Sequence, residues 1–369
     1  MPKLESLLTL EYGAALSAET RTGQGYPVFG SSGEVGRHSS YLVPEAGIVV
    51  GRKGTVGKVT WSGEPFWPID TAYWVNCSRE NKRWLYWVLS WLPLDRLDTS
   101  TGIPGLNRND VYALSIDLPP QGERCRIAEI LDTVDTVIRE TEAIIAKLNL
   151  IKQGLLHDLL TRGIDEGGEL RQPRSEAPHL YKESPLGWIP KDWTPAQLGT
   201  VAALKRGHDI VEANFVPGPY PVISSSGIGG YHNVSTSSGP NVVVGRKGSI
   251  GTVHYVETDF WAHDTSLFVT NFFGNDERFI FYLFTYLRLE QYGTKSGSPS
   301  LNRNDVHPLW IGRPNRSEQE LIVRVLLAHD ATASDSADEL EKLERLKLGL
   351  MDDLLTGRVR VTPLFAREE

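Results

Sequence analysis

The amino-acid sequence predicts an α+β fold, in which two similar α/β domains are joined by two long helices that pack as an antiparallel coiled coil with pseudo-twofold symmetry. Three observations predict this fold: an internal duplication, short β-branched runs within each copy, and a heptad pattern after each copy. The predicted divisions are a first domain at 1–120, a long helix at 121–161, a linker at 162–191, a second domain at 192–315, a second long helix at 316–356 and a C-terminal tail at 357–369.

The duplication is visible as a collinear series of matching segments. Tyr-Pro-Val at 26–28 recurs at 220–222, and Ser-Ser-Gly at 31–33 recurs at 225–227. Further matches are Gly-Arg-Lys-Gly at 51–54 and 245–248, Phe-Trp at 66–67 and 260–261, Asp-Thr at 70–71 and 264–265, and Leu-Asn-Arg-Asn-Asp-Val at 106–111 and 301–306. Their common order and nearly constant spacing indicate that one unit occurs twice. The 369 residues and the 40% hydrophobic content suffice for two ordinary cores.

Each copy contains signals for both strands and helices. Ile-Val-Val at 48–50 and Asn-Val-Val-Val at 241–244 are bounded by glycine and proline, which predicts strands. The segments 83–94 and 277–289 are apolar and aromatic, and each is long enough for one helix packed on a sheet. We therefore interpret their Trp and Tyr residues as core.

The segment after each copy predicts a long helix. Both helices start after proline, at Pro119–Pro120 and at Pro314, and Ser317 with Glu320 predicts a capping box. A helix of about 40 residues is roughly 60 Å long, which is more than one domain needs for its own packing.

Apolar residues in the first helix follow heptad spacing from Ile127, with polar interruptions at Thr141 and Lys152. The second helix has a weaker seam, which contains the residues His329, Ala333, Ser336 and Lys347. The pattern predicts that the two helices pack together, antiparallel, and separate the two domains by a fixed distance. The alternative is that each helix folds back on its own domain.

The net charge of −8 argues at first against a nucleic-acid partner. However, acidic residues outnumber basic ones mainly in 121–161 and 316–356, whereas the two charges nearly balance in each domain. The domains could therefore present a basic face. Cys77 and Cys125 lack neighbours at metal-ligand spacing and are expected to be reduced, partly buried thiols. The absence of a long apolar run leads us to expect a cytoplasmic protein.

Two motifs could contact phosphates or bases. The glycine-rich segment at 51–58 has five residues between its outer glycines and no Ser or Thr after Lys58, so it does not match a nucleotide-binding P-loop. Its shared Arg-Lys pair suits a hairpin tip that meets phosphates, and the alternative is a tight turn with a solvated basic pair. Leu-Asn-Arg-Asn-Asp-Val could offer its Asn and Arg to base edges or phosphates. Alternatively, Asn109, Asp110, Asn304 and Asp305 cap the elements that follow.

No catalytic constellation repeats in the two copies. Asp70 and Asp264 lack an equivalent second carboxylate, and His263 has Ile69 as its counterpart. The Asn-Pro-Pro-Tyr and Asp-Pro-Pro-Tyr tetrapeptides that amino-methyltransferases use are also missing. We therefore expect no catalysis by the chain itself. The competing interpretations are a coiled-coil adapter with two protein-binding domains and a hydrolase that uses the glycine-rich loops.

The chain resembles the specificity subunits of type I DNA restriction and modification systems over its whole length. The resemblance rests on the repeated motifs described above, on Glu-Gln at 318–319 and on Leu-Leu-Thr at 159–161 and 354–356. It rests most of all on Tyr-Lys-Glu-Ser-Pro-Leu-Gly-Trp-Ile-Pro-Lys-Asp-Trp at 181–193, which is similar to the segment that leads into the family's second domain. One departure is Glu123-Arg124, where the family usually has Glu-Gln, and it leaves the cap of the first helix open.

The resemblance implies two target recognition domains, each of which reads one half of a bipartite sequence in double-stranded DNA, with helices that set the spacing. It also implies modification (methyltransferase) subunits that bring S-adenosylmethionine and restriction (motor-nuclease) subunits that bring ATP and Mg²⁺. No cofactor and no metal ion is expected on this chain.

Within the two domains, most of the candidates for DNA contact are residues that the copies share, and Lys58 and Lys295 are candidates found in one copy only. The candidates are Ser31, Ser32, Arg52, Lys53, Lys58, Asn107 and Arg108 in the first copy, and Ser225, Ser226, Arg246, Lys247, Lys295, Asn302 and Arg303 in the second. Differing segments should carry specificity, namely 34–45 against 228–239 and 98–104 against 292–299. The similarity of the copies suggests related half-sites in inverted orientation.

Overall fold

The computed structural model describes residues 1–97, 105–294 and 299–362. The chain forms two compact units, one of residues 1–143 with 337–369 and the other of residues 144–336. Each unit therefore contains one copy of the repeat and a part of each long helix. Both units combine sheets and helices, which confirms the predicted α+β class.

Beside its parts of the long helices, the described residues of the first unit form two sheets and two short α-helices. Its strands are β1 (Leu8–Tyr12), β2 (Tyr26–Gly30), β3 (Gly33–His38), β4 (Gly47–Gly51), β5 (Val59–Ser62), β6 (Trp67–Pro68) and β7 (Ala72–Cys77), and its short helices are α1 (Arg79–Trp91) and α2 (Arg108–Ala113). One sheet has the order β1-β7-β4-β5 and is antiparallel throughout. The other has the order β3-β2-β6, with β2 and β6 parallel.

The core of the first unit lies between the four-stranded sheet and α1. All five residues of β4 are buried, as its continuous apolar run predicts for a central strand. The side chains of Trp84 and Trp87 are fully buried in the same cluster as Ile48 and Val50 of β4. The aromatic residues of the predicted helix are thus confirmed as core, although α1 begins four residues earlier than predicted, at Arg79.

The second unit repeats this arrangement. After the long helix α3 (Gln121–Thr161), its elements are β8 (Tyr181–Ser184), β9 (Gly187–Pro190), β10 (Thr194–Gln197), β11 (Ala203–Arg206), β12 (Tyr220–Ser224), β13 (Gly227–His232), β14 (Asn241–Gly245), β15 (Val253–Val256), β16 (Trp261–Ala262), β17 (Ser266–Asn271), α4 (Glu277–Leu287), α5 (Arg303–Val306) and β18 (Trp310–Arg313). The sheet orders β11-β17-β14-β15 and β13-β12-β16 correspond to those of the first unit. Two additional pairs, β8-β9 and β10-β18, are antiparallel.

The last long helix is α6 (Arg316–Leu355), and it runs antiparallel to α3 within each unit. In the first unit, Asp135 pairs with Lys347, and Leu131 of α3 shares a core with Met351 of α6. In the second unit, Lys152 pairs with Asp330 at 2.7 Å. Residue numbers rise along α3 as they fall along α6, which confirms the predicted antiparallel packing. Both helices also contribute to the core of the globular part in each unit.

The start of α6 differs from the prediction. The side chain of Asn315 accepts a hydrogen bond from the backbone N–H of Glu318 at 2.9 Å, so Asn315 is the cap. The predicted capping box of Ser317 and Glu320 is wrong, because Glu320 instead pairs with Arg316 at 2.9 Å. The sequence correctly predicts a polar cap after Pro314, but the cap is Asn315 and lies two residues before the predicted Ser317.

Glu318 anchors the segment that follows α3. It is buried, and its carboxylate accepts hydrogen bonds from the backbone N–H of Ile164 at 2.9 Å, from Trp193 Nε1 at 3.0 Å and from the buried Arg171. The predicted linker is therefore folded onto the second unit, where it also carries the β8-β9 hairpin. In the first unit, Glu123, the counterpart of Glu318, accepts a hydrogen bond from Thr362 at 2.7 Å and lies 3.6 Å from the half-exposed Arg360.

Both cysteines are free thiols. Cys77 is half-buried and its pKa is raised to about 11 by burial, whereas Cys125 is exposed, contrary to the prediction of partial burial. Among the described residues, no helix is both long and apolar enough to cross a membrane. In the same part of the chain, no group of three or more His, Cys, Asp or Glu side chains is placed to hold a metal ion.

Candidate nucleic-acid interface

The glycine-rich segment at 51–57 is a tight turn that follows β4. The backbone N–H of Gly57 donates to the carbonyl of Gly51 at 2.9 Å and closes the turn. Gly57 has a φ of 75°, and a Cβ there would lie 2.5 Å from the backbone nitrogen of Asp95. Gly251, its counterpart, has a φ of 78° and equally close contact with Glu290. Both glycines are thus required by backbone geometry, not by a bound nucleotide.

The arginine of each Gly-Arg-Lys-Gly turn is braced by the Asp-Thr motif. Arg52 donates from its side chain to the carbonyl oxygen of Asp70 at 3.0 Å, and Arg246 makes the same bond with Asp264 at 2.9 Å. The backbone N–H of Arg52 donates to the carbonyl oxygen of Thr71, and that of Arg246 donates to the carbonyl oxygen of Thr265. The shared Asp-Thr pair therefore positions the turn, which explains its recurrence without a catalytic role.

Leu-Asn-Arg-Asn-Asp-Val lies directly against this turn in both domains. The backbone N–H of Leu106 donates to the carbonyl of Arg52 at 2.8 Å, and Leu301 makes the same bond with Arg246. Two motifs that are about fifty residues apart in the sequence thus meet at one surface. Arg108 and Arg303 are the first helical residues of α2 and α5 at this place.

The capping residues of this motif are the first asparagines. The side chain of Asn107 accepts from the backbone N–H of Asn109 at 3.0 Å, and that of Asn302 accepts from Asn304 at 3.0 Å. The capping role considered for Asn109, Asp110, Asn304 and Asp305 therefore belongs to Asn107 and Asn302. The side-chain oxygens of these two candidates are already engaged, so their amide nitrogens are the groups left for an outside partner.

The Ser-Ser-Gly turn between the strands of the β2-β3 hairpin borders the same place. Lys58 Nζ donates to the carbonyl of Ser32 at 2.6 Å, and a Cβ on Gly54 would lie 3.4 Å from Ser31 Oγ. In the second domain, the backbone N–H of Ser225 donates to Thr265 Oγ1 at 3.3 Å. Ser225 is buried, whereas Ser226 is exposed.

The candidate residues are grouped at this place in each domain, and we call each group the recognition surface. The surface consists of Ser31, Ser32, Arg52, Lys53, Lys58, Asn107 and Arg108 in the first domain, and of Ser225, Ser226, Arg246, Lys247, Asn302 and Arg303 in the second. Lys53 and Lys247 are exposed, whereas Arg52 and Arg246 are half-buried. The candidate Lys295 and the segments 98–104 and 295–298 lie outside the described residues.

The duplicated domains match a known family. The family described as "Type I restriction modification DNA specificity domain" matches residues 2–150 and 190–345. The chain belongs to this family. The two matched segments correspond to the two copies of the repeat, each with most of the long helix that follows it, so they are two target recognition domains with their helices.

Curated relatives include the MjaVIII specificity subunit of a type I restriction enzyme from Methanocaldococcus jannaschii. It is 25% identical over 293 residues, which cover 72% of this chain and 66% of that protein. The MjaX specificity subunit from the same organism is 24% identical over 273 residues, which cover 69% of this chain and 62% of that protein. The chain thus spans just under two thirds of the length of these relatives.

Solved structures with the same fold include the S subunit of a type I restriction-modification system from M. genitalium. Its TM-score is 0.68 at 18% identity, with 96% of this chain and 95% of that chain covered. A chain from a study of complex assembly and conformational transition in the type I R-M system has a TM-score of 0.57 at 15% identity, with 97% of both chains covered. These likenesses confirm the fold of two recognition domains with long helices.

Sequence reasoning missed three residues beside the recognition surface, namely Tyr12, Tyr73 and Arg206. In the first recognition domain, the guanidinium of Arg52 lies 4.7 Å from the ring centroid of Tyr12 and 5.7 Å from that of Tyr73. In the second, Arg206 replaces Tyr12 and donates to the carboxylate of Asp264 at 2.7 Å. The glycine that follows, Gly13 or Gly207, is shared by the two copies. A comparison of the residues before this glycine could therefore have found Tyr12 and Arg206.

Near the recognition surface, one position differs between the two domains and its side chain accepts a hydrogen bond from a neighbouring strand. Tyr112 Oη accepts a hydrogen bond from the backbone N–H of Leu10 at 2.8 Å. At the corresponding place, His307 Nε2 accepts from the backbone N–H of Leu204 at 2.9 Å. Burial, and then the charge of Arg303, lower the pKa of His307, which keeps this nitrogen unprotonated and able to accept.

We expect the second recognition domain to lose stability in acid through His307. Because the folded-state pKa lies below the usual value near 6.5, the stabilisation is complete above about pH 6.5 and is lost as the pH falls through the folded-state pKa. His307→Tyr, which installs the first domain's residue, should remove this part of the pH dependence. The measurement is thermal unfolding of both proteins between pH 7.5 and pH 5. An equal loss of stability in the two proteins would contradict the role of His307.

Proposed function

We propose that this chain is the DNA sequence-specificity subunit of a type I restriction-modification complex, in which each recognition domain reads one half of a bipartite duplex target. The observation that carries the proposal is the recognition surface, which brings the same three motifs together in both domains. Exposed lysines beside tight turns suit contact with the DNA backbone. Membership of the specificity-domain family supports the same conclusion.

The chain would act without chemistry of its own. Asp70 and Asp264, the shared acidic residues, brace the turn arginines through their carbonyl oxygens. In this proposal, modification subunits with S-adenosylmethionine dock on the helices and domains, and restriction subunits supply ATP hydrolysis and cleavage. The α3-α6 pair would set the spacing between half-sites. An adapter with two protein-binding domains would not need the same basic turn in both copies.

The proposal is tested by the salt dependence of DNA binding. Replacing Arg246 and Lys247 by alanine should weaken binding to all duplex sequences and reduce the slope of log Kd against log salt by about one to two, since each lost phosphate contact removes roughly 0.9. Lys247→Ala alone leaves the hydrogen bond between Arg246 and Asp264 in place, and it should reduce the slope by about one. The measurement is fluorescence anisotropy with a labelled duplex at several KCl concentrations. An unchanged slope would contradict the contact, and a wild-type chain without any affinity for duplex DNA would contradict the proposed function.

A further inference from the structure

The second recognition domain contains a concave pocket that the family resemblance did not indicate. Its volume is about 670 Å³, and its cationic lining residues are Lys205, Arg206, Arg246 and Arg303. Asp209 also lines it, and the carboxylate of Asp264 lies against two of the arginines, at 2.7 Å from Arg206 and 3.7 Å from Arg246. Four cations therefore face two carboxylates, and the pocket has an excess of positive charge.

Arg246 is incompletely satisfied within the protein. Its side chain is only 13% exposed, and its buried Nη2 makes no hydrogen bond to any described residue. Burial, and then the charge of Arg206, lower the pKa of Arg246. Two guanidinium groups thus crowd one carboxylate, and an anion in the pocket would relieve both the unmade hydrogen bond and the repulsion.

In the first domain, the corresponding arginines Arg52 and Arg108 have different neighbours. The Tyr12 ring lies 4.7 Å from the guanidinium of Arg52 and 5.3 Å from that of Arg108, so one aromatic side chain covers both. In the second domain, Arg206 stands at the position of Tyr12, and Leu267 stands at the position of Tyr73. The copies therefore share their arginines but differ in what lies over them.

We infer that this pocket holds a phosphodiester group of the DNA backbone, and that the Tyr12/Arg206 difference gives the second domain a phosphate contact that the first lacks. Arginine pairs bind phosphate oxygens through several parallel N–H bonds, and the exposed Arg206 is held in place by Asp264. This inference rests on the proposed function. It adds Arg206 to the contact residues and predicts that the two domains contribute unequally to the salt dependence of binding.

The test exchanges the residues between the copies. Arg206→Tyr gives the second domain the first domain's residue, and Tyr12→Arg is the reciprocal change. Binding of the full chain to a labelled 30-base-pair duplex is measured by anisotropy over a KCl series. Arg206→Tyr should reduce the slope of log Kd against log salt by about one, and Tyr12→Arg should raise it by up to about one. Arg324→Tyr, an exposed arginine on α6 outside the pocket, is the matched control and should leave the slope unchanged.

The outcomes separate the two claims. A wild-type chain that binds duplex DNA, with the same slope for Arg206→Tyr, overturns the pocket inference and leaves the proposed function in place. Absence of duplex binding by wild type overturns the proposed function. Thermal unfolding with and without inorganic phosphate at constant ionic strength provides the last arm. A phosphate-induced rise in Tm that Arg206→Tyr abolishes, together with an unchanged DNA slope, would mean that the pocket holds a free anion, and this result would also overturn the inference.

Discussion

Replacing Glu318 by alanine is expected to lower the free energy of unfolding of the second unit by about 3–5 kcal/mol. Glu318 is 4% exposed, and Arg171, which donates two hydrogen bonds to it, is 8% exposed. Burial alone would lower the pKa of Arg171, but the hydrogen bond and the charge of Glu318 outweigh burial and raise it. Without Glu318, a guanidinium would stay buried without its main counter-charge, and the bonds from Ile164 and Trp193 would also be lost.

The measurement is urea unfolding followed by tryptophan fluorescence, since Trp193 contacts Glu318 directly. Glu320→Ala, two residues further along α6, is the matched control, because its pair with Arg316 is exposed on both sides and should contribute less than about 1 kcal/mol. A cost within 1 kcal/mol for Glu318→Ala would show that Arg171 finds another partner, and would contradict the anchoring role. Glu123→Ala should cost less, because its partner Arg360 is about half exposed, at 48%.

The contact between Glu318 and Arg171 could not be predicted from the sequence. The motif Glu-Gln at 318–319 was recognised as a feature of a helix start, but Arg171 is 147 residues away in what composition indicated was a linker. Local patterns such as caps and heptads are decided by neighbours in the sequence, whereas this contact depends on how the chain returns after α3. The same limit explains why the meeting of the Gly-Arg-Lys-Gly turn and the Leu-Asn-Arg-Asn-Asp-Val segment was not predicted.

Features that depend on local periodicity were predicted well. The two long helices, the central strands and the aromatic helices follow from apolar spacing, which requires no knowledge of distant partners. The roles of single polar residues were harder. Asn107 was considered only as a base contact, and the structure shows that its side-chain oxygen caps α2. An asparagine can serve either purpose, and only the position of the next N–H group decides between them.

Two of the polar interruptions of the heptad seam, Lys152 and Lys347, have a structural reason. Lys152 pairs with Asp330 at 2.7 Å and lies 6.0 Å from the ring centroid of Tyr282 in the second unit. Lys347 pairs with Asp135 and lies 5.0 Å from the ring centroid of Trp87 in the first unit. A single polar pair within an apolar seam favours one register over its neighbours. Among the described residues, each unit thus contains one such pair between α3 and α6.

This register leads to the prediction with the largest expected effect on DNA binding. A seven-residue insertion after Thr141 in α3, matched by another after Glu341 in α6, keeps the heptad phase and both Lys-Asp pairs while it lengthens the helix pair by about 10 Å. If the pair sets the spacing, the complex should keep its half-sites and prefer a spacer about three base pairs longer. Affinity for the original spacer should fall by about 10²–10⁴-fold, because only one domain can then engage.

The control for this insertion is the same seven residues in α3 alone. That change displaces one of the pairs Asp135–Lys347 and Lys152–Asp330 by a full heptad, so it should destabilise the helix pair and not define a new spacer. Spacer preference is read from binding to duplexes that differ only in the number of base pairs between half-sites. A double insertion that changes the half-sites and leaves the spacer unaltered would exclude the helices as the element that sets spacing, and would place that role in the recognition domains themselves.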